Sequence, residues 1–442
     1  MSLTQAASFA AVLALLALAI QRARVQPFLA LTLAAIGFGY AAGMSTSGVG
    51  KAFGLGFAQG VNTLGLIVVA AAFMAEIADA SGATAWLQRA AAGRSRLSLP
   101  LALIGLIAGL ASTPAAAFAV LGPLRRGLGE DSPRSALVLG LSLSGSHGLL
   151  ILSPVMLASA TILAADWATA LAFGLPAALV VVATGLLLAQ GGSAAPNRVD
   201  TAGAMDGESL HAPRRGAWAL GLTCVVLIAL LVTQSLGDIA SEPLGGGSNR
   251  EFLIALGRPV VLLLVGVGLL LLLSGHWEKG GLSEQGWAGR ALAKAAPLVL
   301  LIGAAGGLSK IAQETGMAEM NAERLLGFAP SGALALLLPF ALAAIVKTLQ
   351  GSSLVAAITA AGMMMELVAP LGLGDPAGRA LAALAIGAGA MSVSHVNDGL
   401  FWLVGQAARL PAGTTLARFS LATGVQGAVA LLVLMAFRLL CH

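Results

Sequence analysis

Long apolar stretches alternate along the chain with short polar and charged connections. Runs of span length fall at about 5–20, 26–43, 61–80, 135–163, 168–190, 216–235, 258–274, 294–312, 379–407 and 413–438. A bilayer core takes about 20 apolar residues in helix, and helix satisfies every backbone group within its own segment. The pattern predicts an all-α polytopic membrane protein with about 10 transmembrane helices. Two more stretches, about 98–124 and 331–366, are apolar but have polar, small-residue centres: Ala111-Ser112-Thr113-Pro114-Ala115 and Gln350-Gly351-Ser352-Ser353. Each reads as a re-entrant helical hairpin that enters and leaves on one face.

Charge in the connections orients this layout. With Arg22 and Arg24 on the cytoplasmic side, so are Arg89, Arg94, Arg96, Arg125, Arg126, Arg134, Arg198, Arg214, Arg215, Lys279, Arg290, Arg409 and Arg418. The outer connections are acidic: Asp238, Glu242 and Glu251, then Glu314, Glu319 and Glu323. That is the positive-inside asymmetry, and it holds only if both hairpins return to the face they left. It places the N-terminus outside. Arg22 and Arg24 follow the first apolar run instead of preceding it, so residues 1–20 read as a retained span rather than a signal peptide.

The hairpins then open on opposite faces, which is the arrangement of an inverted repeat. The expected halves are 1–190 and 216–442, joined by a cytoplasmic linker at 191–215 rich in Gly, Ser and Pro. Ser-x-Ser-His occurs once in each half, at Ser144–His147 and Ser392–His395. Both fall inside spans (135–163 and 379–407) that read as broken.

Composition agrees. The 442 residues are 58% hydrophobic and only 10% charged, against roughly 25% charged in soluble domains; mean hydropathy is +0.92. The net charge of +5 lies in short loops, which excludes a nucleic-acid partner. Cys224 and Cys441 have no metal-type spacing, nor do His211, His276 and His442. No phosphate-binding Gly-x-x-x-x-Gly-Lys-Ser/Thr loop is present, so ATP does not drive the process. No cofactor and no metal are expected.

The chemistry concentrates in Ser392-Val393-Ser394-His395-Val396-Asn397-Asp398, set between apolar runs. Ionisable groups at membrane depth are costly and line cavities, pair, or meet substrate. His395 and Asp398 read as a proton-coupling pair, since a carboxylate beside an imidazole stabilises the protonated ring. Asn397 reads as a substrate ligand, and the alternative for all three is a structural polar knot. His147 is the equivalent group of the first half and reads as substrate-binding. At the tips, Ser112 and Thr113, and Gly351, Ser352 and Ser353, read as substrate-binding through hydroxyls and free helix-end N–H groups, or else as ordinary small-residue packing. Lys347 is either an anion partner or a snorkelling residue; Lys310, at a span end, reads as snorkelling.

These residues resemble the gluconate permease family, bacterial gluconate:proton symporters. Ala385-Ile386-Gly387-Ala388-Gly389 leading into Ser394-His395-Val396-Asn397-Asp398 and then Phe401-Trp402-Leu403 is similar to its late signature. Gln350-Gly351-Ser352-Ser353 is similar to its second hairpin, and Leu298 to Lys310 to its glycine-rich span. Two departures stand out. A proline-rich run of the family is reduced to Pro154 within Ile151-Leu152-Ser153-Pro154-Val155-Met156, and Ala115 stands where the family's first tip usually has Glu. The resemblance implies a bacterial cytoplasmic-membrane carrier that takes up a small organic anion, such as gluconate or a related hydroxylated carboxylate, with protons. It also implies a homo-oligomer. Sodium coupling through hydroxyls and broken-helix carbonyls is the alternative. A channel, or a membrane enzyme using His395 and Asp398 as acid and base, is the alternative of another class.

Overall fold

The computed structural model describes residues 25–91, 98–110, 113–127, 132–150, 153–190, 214–237, 246–315 and 331–441, with a few positions before residue 25. These residues are almost entirely helical. Among them, seven helices are long and apolar enough to cross a membrane, or eight if a bent pair counts as one span.

The helices are α1 (Pro27–Ala41), α2 (Thr46–Ala80), α3 (Ala83–Ala91), α4 (Ser98–Ala108), α5 (Pro114–Gly127), α6 (Pro133–Leu149), α7 (Pro154–Ile162), α8 (Trp167–Gln190), α9 (Arg214–Gly237), α10 (Ser248–Leu256) and α11 (Pro259–Ser274). They continue with α12 (Trp287–Glu314), α13 (Leu337–Gln350), α14 (Ser353–Met364), α15 (Pro376–Met391), α16 (Gly399–Ala407) and α17 (Ala412–Leu440). Helix starts follow capping chemistry. Ser45, Ser132, Ser153, Ser352 and Asp375 each accept a hydrogen bond from a backbone N–H in the first turn of the helix that follows, and Pro opens α6, α7 and α15 where its missing N–H costs nothing. Helices α10 and α11 meet at a 58° bend.

Several expected spans differ. The run at 26–43 forms a helix of 15 residues, and 61–80 is only the second part of a 35-residue helix that begins at Thr46. The stretch Thr46–Gly60 is glycine-rich and does not read as a span from hydropathy. Its glycines serve packing: Gly56 and Gly306 put α2 and α12 backbone to backbone, with no room for a Cβ on either. The sequence 379–407 is two short helices, α15 and α16, separated by the non-helical residues 392–398. Most of 5–20 and nearly all of the linker, 191–213, lie outside the described residues; Arg214 and Arg215 begin α9.

The centre of the molecule is α6 and α15. Every residue from Ser135 to Leu149 and from Ala380 to Met391 is buried. The two helices cross at Gly148 and Gly387, again backbone to backbone. Packing around them is paired. Helix α4 lies on α6 through Gly105 and Gly109, and α13 lies on α15 through Gly389. Helix α5 packs on α16, and α14 on α7; α8 packs on α6, and α17 on α15.

Candidate functional site

Helix α6 ends at Leu149, where the chain turns extended at Leu150. His147 is therefore in the last turn. Its Nδ1–H donates to Gly109 O at 2.9 Å, fastening the end of α6 to the end of α4. Ser153 Oγ donates to His147 O at 2.6 Å and caps α7, so one side chain closes one helix and opens the next.

In the second half, α13 ends at Gly351, which has φ +71° and whose N–H returns to Lys347 O at 2.8 Å. Glycine is required twice over here: the left-handed backbone disfavours a side chain, and a Cβ would meet the carbonyl of Asn397. Ser352 then caps α14. The segment 392–398 leaves α15 and turns through Val393 at φ +48°. Asp398 caps α16 through Leu400 N at 3.0 Å. Helix α17 grips this segment at its π-helical turn, Leu416–Ser420: Ser420 Oγ donates to Ser394 O and Thr423 Oγ1 accepts from Ser394 N. Trp402 Nε1 donates to Val396 O at 2.8 Å.

An ion pair lies at the heart of the site. Lys347 Nζ is 2.7 Å from Asp398 Oδ2 and 2.6 Å from Gly351 O, with the two side chains only 3% and 14% exposed. Ser394 Oγ donates to the same carboxylate oxygen at 2.5 Å. The two members of the expected proton-coupling pair, His395 and Asp398, take different hydrogen-bond partners. His395 Nε2 and Asn397 Nδ2 both donate to Thr348 O at 2.9 Å, and the carboxylate goes to lysine instead. Lys347, expected as an anion partner or a snorkelling residue, is instead buried and committed to Asp398.

These elements enclose a cavity of about 250 Å³. Of the expected residues, Thr113, His147, Lys347, Gly351, Ser352, Ser353, Asn397 and Asp398 line it. His395 is buried beside it, its ring held on the α13 backbone. Ser112 lies outside the described residues. Two helices that sequence reasoning left out of the site form the remaining wall. Helix α2 contributes Gln59 and Thr63 near its own π turn, and α12 contributes Ser309, Lys310 and Gln313. Ser309 Oγ donates to Asn397 O at 3.3 Å. Two buried acceptors of the lining, Gln350 Oε1 and Asn397 Oδ1, have no hydrogen-bond partner. Among the described residues no cluster of three His, Cys, Asp or Glu has metal-ligating geometry.

Apolar helices of membrane-crossing length, closing their interrupted segments around a polar cavity, define a membrane transport protein. Comparison with known proteins gives the family: residues 3–440 match the GntP family permease model, and the chain belongs to that family. The gluconate permease of Zymomonas mobilis is 27% identical, with 95% of this chain and 94% of that one aligned. The low-affinity gluconate transporter of Escherichia coli K12 is 26% identical with 96% of each covered. The Gnt-II system L-idonate transporter of the same organism is 27% identical with 95% of each covered. Among solved structures, the Alcanivorax borkumensis YdaH transporter aligns with TM-score 0.39 and 17% identity over 93% of this chain and 97% of that one, a likeness too slight to argue from. The chain is thus a multi-pass membrane permease, not an enzyme, of a family whose similar members are named as transporters of gluconate-like anions.

Proposed function

We propose that this permease is a secondary carrier that takes up gluconate, or a closely related hydroxylated carboxylate, together with protons. The observation that carries the reading is the convergence on one cavity of both helix tips and both interrupted helices, with hydroxyls, amides and a buried Lys347–Asp398 pair in its wall. The relatives named for gluconate and L-idonate point to the substrate class. Thr113, Ser352, Ser353 and Asn397, with Ser112 beside Thr113 in sequence, are proposed to hold substrate; His147 holds the first tip.

Proton coupling is proposed at Asp398. It lines the cavity and its partner is a lysine, so a proton arriving on the carboxylate frees an ammonium within the site. His395 acts as its neighbour, fixing the end of α13 through Thr348. The paired packing supports an inverted repeat in which α4, α5, α6, α7 and α8 correspond to α13, α14, α15, α16 and α17. On that reading the tips at 109–113 and 350–353 are re-entrant, the halves are 1–190 and 216–442, and the N-terminus is outside the cytoplasmic membrane. Access alternates as the unit carrying both tips moves against α2 and α12.

The two unpartnered amide oxygens, Gln350 Oε1 and Asn397 Oδ1, favour a second reading in which sodium is the coupling ion. Purified protein in proteoliposomes separates the two. An inward proton gradient without sodium should concentrate labelled gluconate. Accumulation that follows only a sodium gradient would leave the fold reading intact and replace the coupling ion, whereas no uptake of any sugar acid under either gradient would remove the proposed substrate class.

A further inference from the structure

While Asp398 is ionised its carboxylate neutralises Lys347, so in that state the cavity needs another anchor for the substrate's carboxylate. Among the described residues lining the cavity, three carry full charge: Lys347, Asp398 and Lys310. The first two cancel. Lys310 leaves the lining with one net positive charge.

Its surroundings make it an adjustable cation. The Lys310 side chain is 27% exposed and its Nζ meets Glu314 Oε1 at 2.8 Å, one turn along α12. Glu314 is not part of the cavity lining and is 48% exposed, so the bond between them is a weak, water-screened one. Glu314 also stands in the field of Lys51, so it keeps a cationic neighbour when Lys310 turns away. The Lys310 stem has space because Gly56 of α2 faces it; a Cβ at Gly56 would collide with Lys310 Cβ. Gln313 flanks Lys310 in the lining, and its amide N–H groups are donors that a carboxylate can accept from. Acceptors lie on the other elements, at Gln350 Oε1 and Asn397 Oδ1.

We propose that Lys310 is the carboxylate-binding residue of this permease and exchanges Glu314 for the substrate, whose hydroxyls face the amide acceptors of α13 and of segment 392–398. The cavity then selects for a chain with an anion at one end and hydroxyl donors at the other. This rests on the proposed uptake of hydroxylated carboxylates.

Binding of labelled gluconate to purified full-length protein tests it. Lys310→Gln should weaken binding on the order of tenfold or more, the loss expected for one charge-assisted hydrogen bond. Lys310→Arg should restore most of it, and Glu314→Gln should tighten binding by releasing the ammonium. Lys310→Gln binding gluconate as the unchanged protein does overturns the proposal. So does equal weakening in Lys310→Gln and Lys310→Arg, which marks a packing role. If Lys310→Gln does not fold, Glu314→Gln decides: unchanged or weaker binding overturns it. An unchanged protein that binds no sugar acid at all instead removes the substrate class and leaves the charge analysis of the cavity standing.

Discussion

Replacing Asp398 by Asn leaves the shape of the site almost unaltered but strips Lys347 of its counter-ion. Lys347 is 3% exposed, and of its partners Asp398 and Gly351 O only the carbonyl remains to it. At 2.7 Å and an effective dielectric of about 20, the attraction lost is about 6 kcal/mol, offset in the native protein by the cost of desolvating both ions. Breaking one side of such a pair costs about 3–5 kcal/mol. The partial exposure of Asp398 places the expected loss near the lower end, about 3 kcal/mol. Lys347→Gln should cost a similar amount, because it strands the carboxylate. The double variant should recover most of the loss, since neither charge is then unpaired. The assay is thermal unfolding of the four proteins in one detergent, followed by reconstitution. Asp398→Asn should exchange gluconate in counterflow yet fail to concentrate it against a gradient, because exchange needs only a loaded site to move while uphill uptake needs the proton to move with it. Additive destabilisation in the double variant would refute the energetic coupling of the pair. Proton-driven accumulation by Asp398→Asn at the normal rate would refute its part in transport and make the pair purely structural.

Three further outcomes are expected. Gly351→Ala should abolish uptake and lower stability by about 1–3 kcal/mol, since its φ of +71° and the Asn397 carbonyl both oppose a Cβ; melting and transport assays check it, and a fully active variant would contradict the tight tip. His147→Gln should weaken gluconate uptake by loosening the Gly109 contact while leaving its pH profile in place, because the proposed coupling lies in the other half; a flattened profile would move coupling to His147. Asp375, at the start of α15, is held below its ordinary value near 3.8 chiefly by the hydrogen bond from Arg438. Its contribution is present above pH 4 or so and is lost as pH falls through the lowered value; with 46% of the side chain exposed it amounts to under about 1 kcal/mol, and Asp375→Asn should flatten the acid limb of melting temperature against pH by that little.

Sequence made the helix tips and the interrupted spans legible because their residues are out of place. Gln350-Gly351-Ser352-Ser353 and Ser394-His395-Val396-Asn397-Asp398 are polar where lipid would penalise them, and both line or flank the cavity. What sequence does not give is the partner of each polar group. Residues 392–398 are not helical, and there the His395 ring bonds Thr348 O of α13 while the Asp398 carboxylate takes Ser394 and Lys347. Lys347 found the carboxylate across 51 positions of sequence that no local pattern spans. The other omission was the α2–α12 wall. Gln59, Thr63, Ser309, Lys310 and Gln313 are ordinary polar residues of long helices, and only tertiary packing turns them inward. The glycines Gly56, Gly60, Gly303, Gly306 and Gly307 were the available signal: spacings of three and four among small residues mark helices in close approach.

The crossing of α6 and α15 at Gly148 and Gly387 sets a limit on how such a permease can diversify. At this crossing the main chains of the two interrupted helices lie in direct contact, with the Met391 side chain packed beside them, so any residue larger than glycine at either position forces them apart. Polar lining groups such as Gln59 and Thr63 are under no such backbone constraint, and changing them is expected to retune which functional groups are welcome. The spacing of α6 and α15 at this point is written in backbone, and lineages built on this frame are expected to change the side chains around the cavity far more readily than the distance between its two central helices.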